Sequence, residues 1–169
     1  QDEIRDYQRK NTSFNTNIGF EYFFSETSSI TNSLVIRNRD SEEEVNIDFF
    51  NFDADRNPTI QRNRFTEEDG EDENVQYSVN FKKTFDTPGH EFTMDYQYSR
   101  GDESENSIIN EVVLREVVEI PTEQTINDEG QINQLLQFDY VLPFGKDKQS
   151  QFEMGYRGTF NNFNTDFDF

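Results

Sequence analysis

Asp53, Asp55, Asn57 and Thr59 stand at the one-three-five-seven spacing with which a loop of oxygen donors wraps a calcium ion. The pattern then fails. Its sixth place holds Pro58, where a glycine makes the sharp turn, and its twelfth holds Arg64, where a glutamate closes the shell. The four are read as solvated loop residues. Glu67, Glu68, Asp69, Glu71, Asp72 and Glu73 form a denser cluster, read as charge for solubility rather than as a loose divalent-cation site at a lipopolysaccharide surface. His90 is the only histidine and there is no cysteine, so a metal centre lacks ligands and His90 reads as a turn or interface residue. Glu21, Asp95, Asp139 and Glu153 lie on the polar side of alternating segments. Paired carboxylates can run acid–base chemistry. Here they read instead as residues that line a wet surface or face Lys82 or Arg157. No nucleophile elbow, phosphate loop or zinc motif occurs. Gly155 and Gly158 read as bends or points of close packing. No catalytic, cofactor-binding or metal-ligating residue is assigned, and nothing speaks for an enzyme.

What positions these side chains follows from composition and period. The chain has 169 residues, 15 Lys+Arg against 35 Asp+Glu, and a net charge of −20. That balance excludes general nucleic-acid binding, which needs clustered cations to neutralise phosphate. Absence of cysteine excludes a disulfide framework. A single alanine, Ala54, argues against a helical bundle. Only 31% of residues are hydrophobic, a share that suits disorder, but 18 Phe and 7 Tyr do not. No apolar run is long enough for a transmembrane helix. Gln1 to Lys10 is polar and has no signal-peptide core, so the chain is made without one, is mature, or is an excised piece.

Apolar and polar residues alternate with period two, the mark of a strand with two unlike faces. Phe14, Ile18, Phe20, Tyr22 and Phe24 share one side of the first such segment. Val75, Tyr77, Val79, Phe81 and Phe85, then Phe92, Met94, Tyr96 and Tyr98, do so in later ones. Strands are expected near 13–24, 30–39, 74–85, 91–100, 131–144 and 151–160, longer than the ~5–6 residues usual in soluble sheets. Short turns at 25–29, 86–89 and 145–150 alternate with long acidic loops at 40–73 and 101–130. Val45 to Phe52, Thr59 to Thr66 and Ile108 to Ile120 within those loops read as hairpin extensions. The spacing of Glu111, Arg115 and Glu119 leaves a helix open for the last, although its β-branched residues favour strand. The expected fold is all-β, an antiparallel up-and-down meander of long strands.

Such a greasy face must be covered by a second sheet or by lipid. Three features favour lipid and a segment of a transmembrane β-barrel. The strands reach the 9–11 residues or so that cross hydrocarbon at a tilt. The opposite face is rich in Asn, Gln, Ser and Thr, and Tyr22, Phe24, Phe85, Phe92, Phe144 and Phe152 cluster by the short turns as an interfacial girdle would. Lys83 breaks the apolar face where it can snorkel to the interface. The alternative is a soluble or secreted acidic β-sandwich with a structural or interaction role. Six strands are too few to close a barrel, which takes about eight or more, so the chain is expected to be a segment of a longer one or to pair with other chains, and the segment is the favoured reading. Asn161 to Phe169 reads as the start of a further loop.

Three stretches carry a resemblance to a family. They are Asn80-Phe81-Lys82-Lys83-Thr84-Phe85 with Pro88-Gly89-His90-Glu91-Phe92-Thr93-Met94-Asp95-Tyr96-Gln97-Tyr98-Ser99, then Gln137-Phe138-Asp139-Tyr140-Val141-Leu142-Pro143-Phe144, then Glu153-Met154-Gly155-Tyr156-Arg157-Gly158-Thr159-Phe160. In this order they resemble the barrel region of Bacteroidetes-type TonB-dependent outer-membrane receptors and the related outer-membrane β-barrel family proteins, over about Phe14 to Phe160. The resemblance implies a bacterial outer-membrane location, periplasmic short turns and extracellular acidic loops. It implies as partners outer-membrane lipid, the remainder of a barrel of about 22 strands, a plug domain, an imported nutrient ligand, and TonB through parts that lie outside this sequence.

Overall fold

In a computed structural model that describes residues 1–114, 118–145 and 150–169, six long strands and one short one form a single sheet. They are β1 (Asp2–Ser25), β2 (Ser28–Phe52), β3 (Pro58–Thr84), β4 (Glu91–Val113), the two-residue β5 (Val118–Glu119), β6 (Glu123–Phe144) and β7 (Ser150–Asp168). The order is β1-β2-β3-β4-β6-β7, every pair antiparallel, with β5 beside β4. The sheet is open, so β1 and β7 are its edges.

The alternation in the sequence fixes this register. Direct cross-strand partners lie on the same face, and five successive rungs stack the apolar residues on one side. These rungs are Thr16–Ile36–Val75–Arg100–Ile132, Ile18–Leu34–Tyr77–Tyr98–Gln134–Phe160, Phe20–Asn32–Val79–Tyr96–Leu136, Tyr22–Ile30–Phe81–Met94–Phe138–Tyr156, and Lys83–Phe92–Tyr140–Met154. A slip of one residue would send every one of them to the other face. The turns follow their local chemistry. Gly89, in the turn between β3 and β4, has φ of 79°, a region that costs residues with a Cβ, and His90 N–H closes the turn on the Thr87 carbonyl at 2.9 Å.

No second layer covers this face. Among the described residues no hydrophobic side chain is buried, and Phe20 is 64% exposed. A β-sandwich would enclose these rings; here they stay exposed along one face, and contiguous apolar patches of that kind mark a surface that meets another apolar phase or partner.

The strands run past the segments expected for them. The stretches 40–73 and 101–130, read as long acidic loops, are strand over most of their length: β2 continues to Phe52, β3 starts at Pro58, β4 reaches Val113 and β6 starts at Glu123. The true connection between β2 and β3 is residues 53–57. Asn161 to Phe169 is not a loop either, because β7 pairs with β6 as far as Asp168 opposite Ile126. Asp2 to Lys10 pairs with β2 in the same way. Val45 to Phe52 and Thr59 to Thr66, read as hairpin extensions, lie in β2 and β3. Around them, as at Asp40 to Glu44 and Glu67 to Glu73, both faces are polar, so the period-two signal that reveals a half-apolar strand disappears. The strand reading of Ile108 to Ile120 holds up to Val113. Arg115 of the helical alternative, and residues 146–149 of the expected 145–150 turn, lie outside the described residues.

Candidate functional site

The outer face carries the first candidate surface. From the rung of Phe92 to that of Arg100 is eight residues of β4, about 27 Å along a strand. At the ~40° tilt of membrane barrels this is about 20 Å along the normal, close to the ~25 Å apolar band of such proteins. Two amide oxygens within it have partners: Tyr77 donates its hydroxyl hydrogen to Asn32 Oδ1 at 2.7 Å, and Tyr96 does so to Gln134 Oε1 at 3.3 Å. This matters because an unpaired amide in hydrocarbon costs several kcal/mol.

At the short-turn end the aromatic residues touch. Ring centroids lie 5.0 Å apart for Tyr22–Phe24, 6.5 Å for Phe24–Phe81 and 6.3 Å for Phe81–Phe92. His90 stacks on Phe85 at 4.0 Å and shares a 2.9 Å hydrogen bond between its Nε2 and the Tyr140 hydroxyl. It is thus a residue of the turn, held between Phe85 and Tyr140. Lys83 leaves the apolar rung by donating to Thr27 Oγ1 at 2.8 Å. At the opposite end Arg100 turns to Asp102, with Nε 2.7 Å from its carboxylate.

The inner face is the second. Its rungs include Glu21–Thr31–Asn80–Asp95–Gln137–Arg157, Asn17–Val35–Gln76–Ser99–Asn133–Asn161 and Asn15–Arg37–Asn74–Gly101–Gln131. All four carboxylates singled out in the sequence, Glu21, Asp95, Asp139 and Glu153, lie here. They do not form ion pairs with Lys82 or Arg157. Asn80 Nδ2 donates to Asp95 at 2.6 Å, Gln137 Nε2 to Asp139 at 2.8 Å, and Gln151 to Glu153, while Lys82 pairs with Glu91 at 3.6 Å. Gly155 reflects close packing, since a Cβ there would lie 2.6 Å from Asp139 Oδ1. This amide-rich surface also carries Arg9, Arg37, Arg39, Arg62 and Arg64, which the reading of single motifs passed over. Their signal was the odd-position pair Arg37 and Arg39 on β2.

Beyond the band the sheet continues as an acidic extension. Here acid faces acid across strands: Glu44–Glu67, Glu43–Glu68, Glu42–Asp69 and Asp40–Glu71 between β2 and β3, then Asp72–Glu103 between β3 and β4. Burial first, and then Glu105 and Glu43, push the Glu68 carboxyl above its ordinary value, against the pull of Arg9. The calcium-like spacing resolves into a turn: Asp53 Oδ1 accepts from the backbone N–H of Asp55 at 2.9 Å and of Asn57 at 2.8 Å. These bonds and that from the Asn57 side chain hold its carboxyl below the usual value. The carboxylate caps its own loop. Among the described residues no three metal-ligating side chains converge.

One sheet with a lipid-sized greasy band, amide oxygens bonded to tyrosine hydroxyls within it and a polar opposite face has the form of a wall of an outer-membrane β-barrel. Residues 83–169, more than half of the chain, match the model of the outer membrane protein beta-barrel family. The chain belongs to that family, and its place is the bacterial outer membrane, in contact with lipid. No curated protein matches it.

Proposed function

We propose that this sheet is a wall segment of an outer-membrane receptor that imports a nutrient ligand, similar to the TonB-dependent receptors. The observation that carries this reading is the inner face. It runs without a break from the membrane-spanning rungs, with Asn17, Gln76 and Asn133, into the charged extension that holds Arg39, Asp72 and Glu103. A conduit with a tall mouth has this form. The short turns then face the periplasm and the extension faces outward, where it meets ligand. Further strands complete the wall, because an open edge in hydrocarbon leaves backbone groups unpaired at several kcal/mol each. A plug inside the lumen and contact with TonB belong to the same proposal.

Ligand uptake by cells carrying the intact gene product tests it. Uptake is expected to stop when the gene is removed and also when the proton-motive force is dissipated. Uptake that persists without that force describes a passive pore and contradicts the proposal.

A further inference from the structure

We propose that Lys83, together with the His90–Tyr140 pair, seats the phosphodiester headgroup of a diacyl phospholipid on the outer surface of the wall at its short-turn end. This rests on the orientation proposed above, which puts that end in the phospholipid leaflet facing the periplasm.

Among the described residues two cations bound the outer band, Arg100 and Lys83, and they differ. Arg100 is neutralised by Asp102 through bonds of 2.7 and 3.1 Å. Lys83 has no carboxylate within 4.0 Å among the described residues and makes one hydrogen bond, to Thr27 Oγ1. An ammonium has three N–H donors, so two are left to offer. Its neighbour Lys82 points to the inner face, where it takes up Glu91. On the outer surface, in a chain of net charge −20, Lys83 is therefore a local positive site.

Along the same rung come Phe92 and then Tyr140, two strands and about 9.5 Å away. The Tyr140 hydroxyl is fixed against His90 Nε2, and the imidazole is clamped by Phe85. His90 Nδ1 makes no other bond among the described residues. An ammonium at one side and a phenol–imidazole pair at the other flank the ring of Phe92. A phosphate placed over that ring meets donors from both sides. Its acyl chains then run down the band across Phe81, Met94 and Phe138, which lie in the next rung. Inorganic phosphate shares the headgroup chemistry but has nothing to lay on this band.

Native mass spectrometry of the intact outer-membrane protein in a neutral detergent tests the seat, with phosphatidylglycerol, a phosphate-free galactosyl diacylglycerol and inorganic phosphate as separate probes. Lys83→Gln is expected to lower phosphatidylglycerol occupancy about fivefold, the effect of one lysine at an anionic headgroup. Tyr140→Phe should lower it less, and Lys83→Arg should keep it. Occupancy by the galactolipid should be the same in all four proteins. Equal phosphatidylglycerol retention by the parent and Lys83→Gln overturns the proposal, as does a parallel fall for the galactolipid. Retention of inorganic phosphate that equals that of the lipid and depends on Lys83 also overturns it, in favour of a free-anion site. Labelling of Thr87→Cys from either side of the membrane separates the two readings. Modification from the cell exterior overturns the orientation and the leaflet, whatever the headgroup result.

Discussion

Asn32 and Gln134 are amides in the central rungs of a surface made otherwise of rings and aliphatic chains, and a tyrosine hydroxyl answers each. Such pairing is needed where no water can reach, and it is one reason Tyr rather than Phe stands at 77 and 96. The same logic makes neighbouring positions respond differently to charge. Val79 is on the outer face in the middle rung, whereas Ser78 points inward and shares a 2.8 Å hydrogen bond with Ser33. Val79→Arg is expected to destabilise the intact protein in bilayers by about 2–4 kcal/mol, the cost of a guanidinium near the midplane. Ser78→Arg should cost about 1 kcal/mol, the value of the hydrogen bond it removes. Urea titrations of folding into phospholipid vesicles measure both. Equal costs at 78 and 79 would contradict the assignment of faces.

At the scale of strands, two regimes meet within each element. In β3 the part from Val75 to Lys83 alternates between lipid and water, and its period was legible in the sequence. From Glu67 to Glu73 both faces are polar, as Glu67, Glu68 and Asp69 illustrate, so this part reads as loop although the backbone ladder continues through it to the Thr59 to Thr66 extension. Backbone pairing carries no side-chain period of its own, which is why strand length was hidden while strand number was not. The inner-face carboxylates were placed on the right side by alternation alone. Their amide partners were passed over for charged ones, although Gln137 and Gln151 stand two residues from Asp139 and Glu153 on the same strands; only Asn80, opposite Asp95 on the neighbouring strand, needs the register to be found.

The extension must hold together against facing acids, since like charges directly opposite destabilise a sheet. Glu68 has a folded-state pKa raised above its ordinary 4.5. Protonation therefore favours the folded extension: its contribution is full below about 4.5 and is lost as pH rises through the raised value. Amide hydrogen exchange at 40–46 and 64–72, corrected for intrinsic rates, should show greater protection at pH 5 than at pH 8. Glu68→Gln should remove part of the difference. Protection that increases with pH would contradict this.

At the scale of the whole molecule, the chain is a sheet with no interior. The apolar residues of its central rungs lie mostly on one surface and gain from burial only when something apolar meets that surface. Lipid fits because the band has membrane height, the amide oxygens of Asn32 and Gln134 within it accept from tyrosine hydroxyls, and its lower rim is aromatic with an outward-reaching lysine. The open edges at β1 and β7 are compatible with lipid only if other strands pair with them.

The chain contains no tryptophan, so a single introduced indole reports its own surroundings once any signal from the rest of the intact protein is subtracted. The decisive measurement is quenching by brominated acyl chains of Tyr96→Trp and Gln97→Trp in bilayers. Adjacent on β4, these positions point to opposite faces. Strong quenching at 96 and little at 97 is expected if acyl chains touch the ring-bearing face. Quenching at 97 that equals or exceeds that at 96, or none at 96, would contradict it.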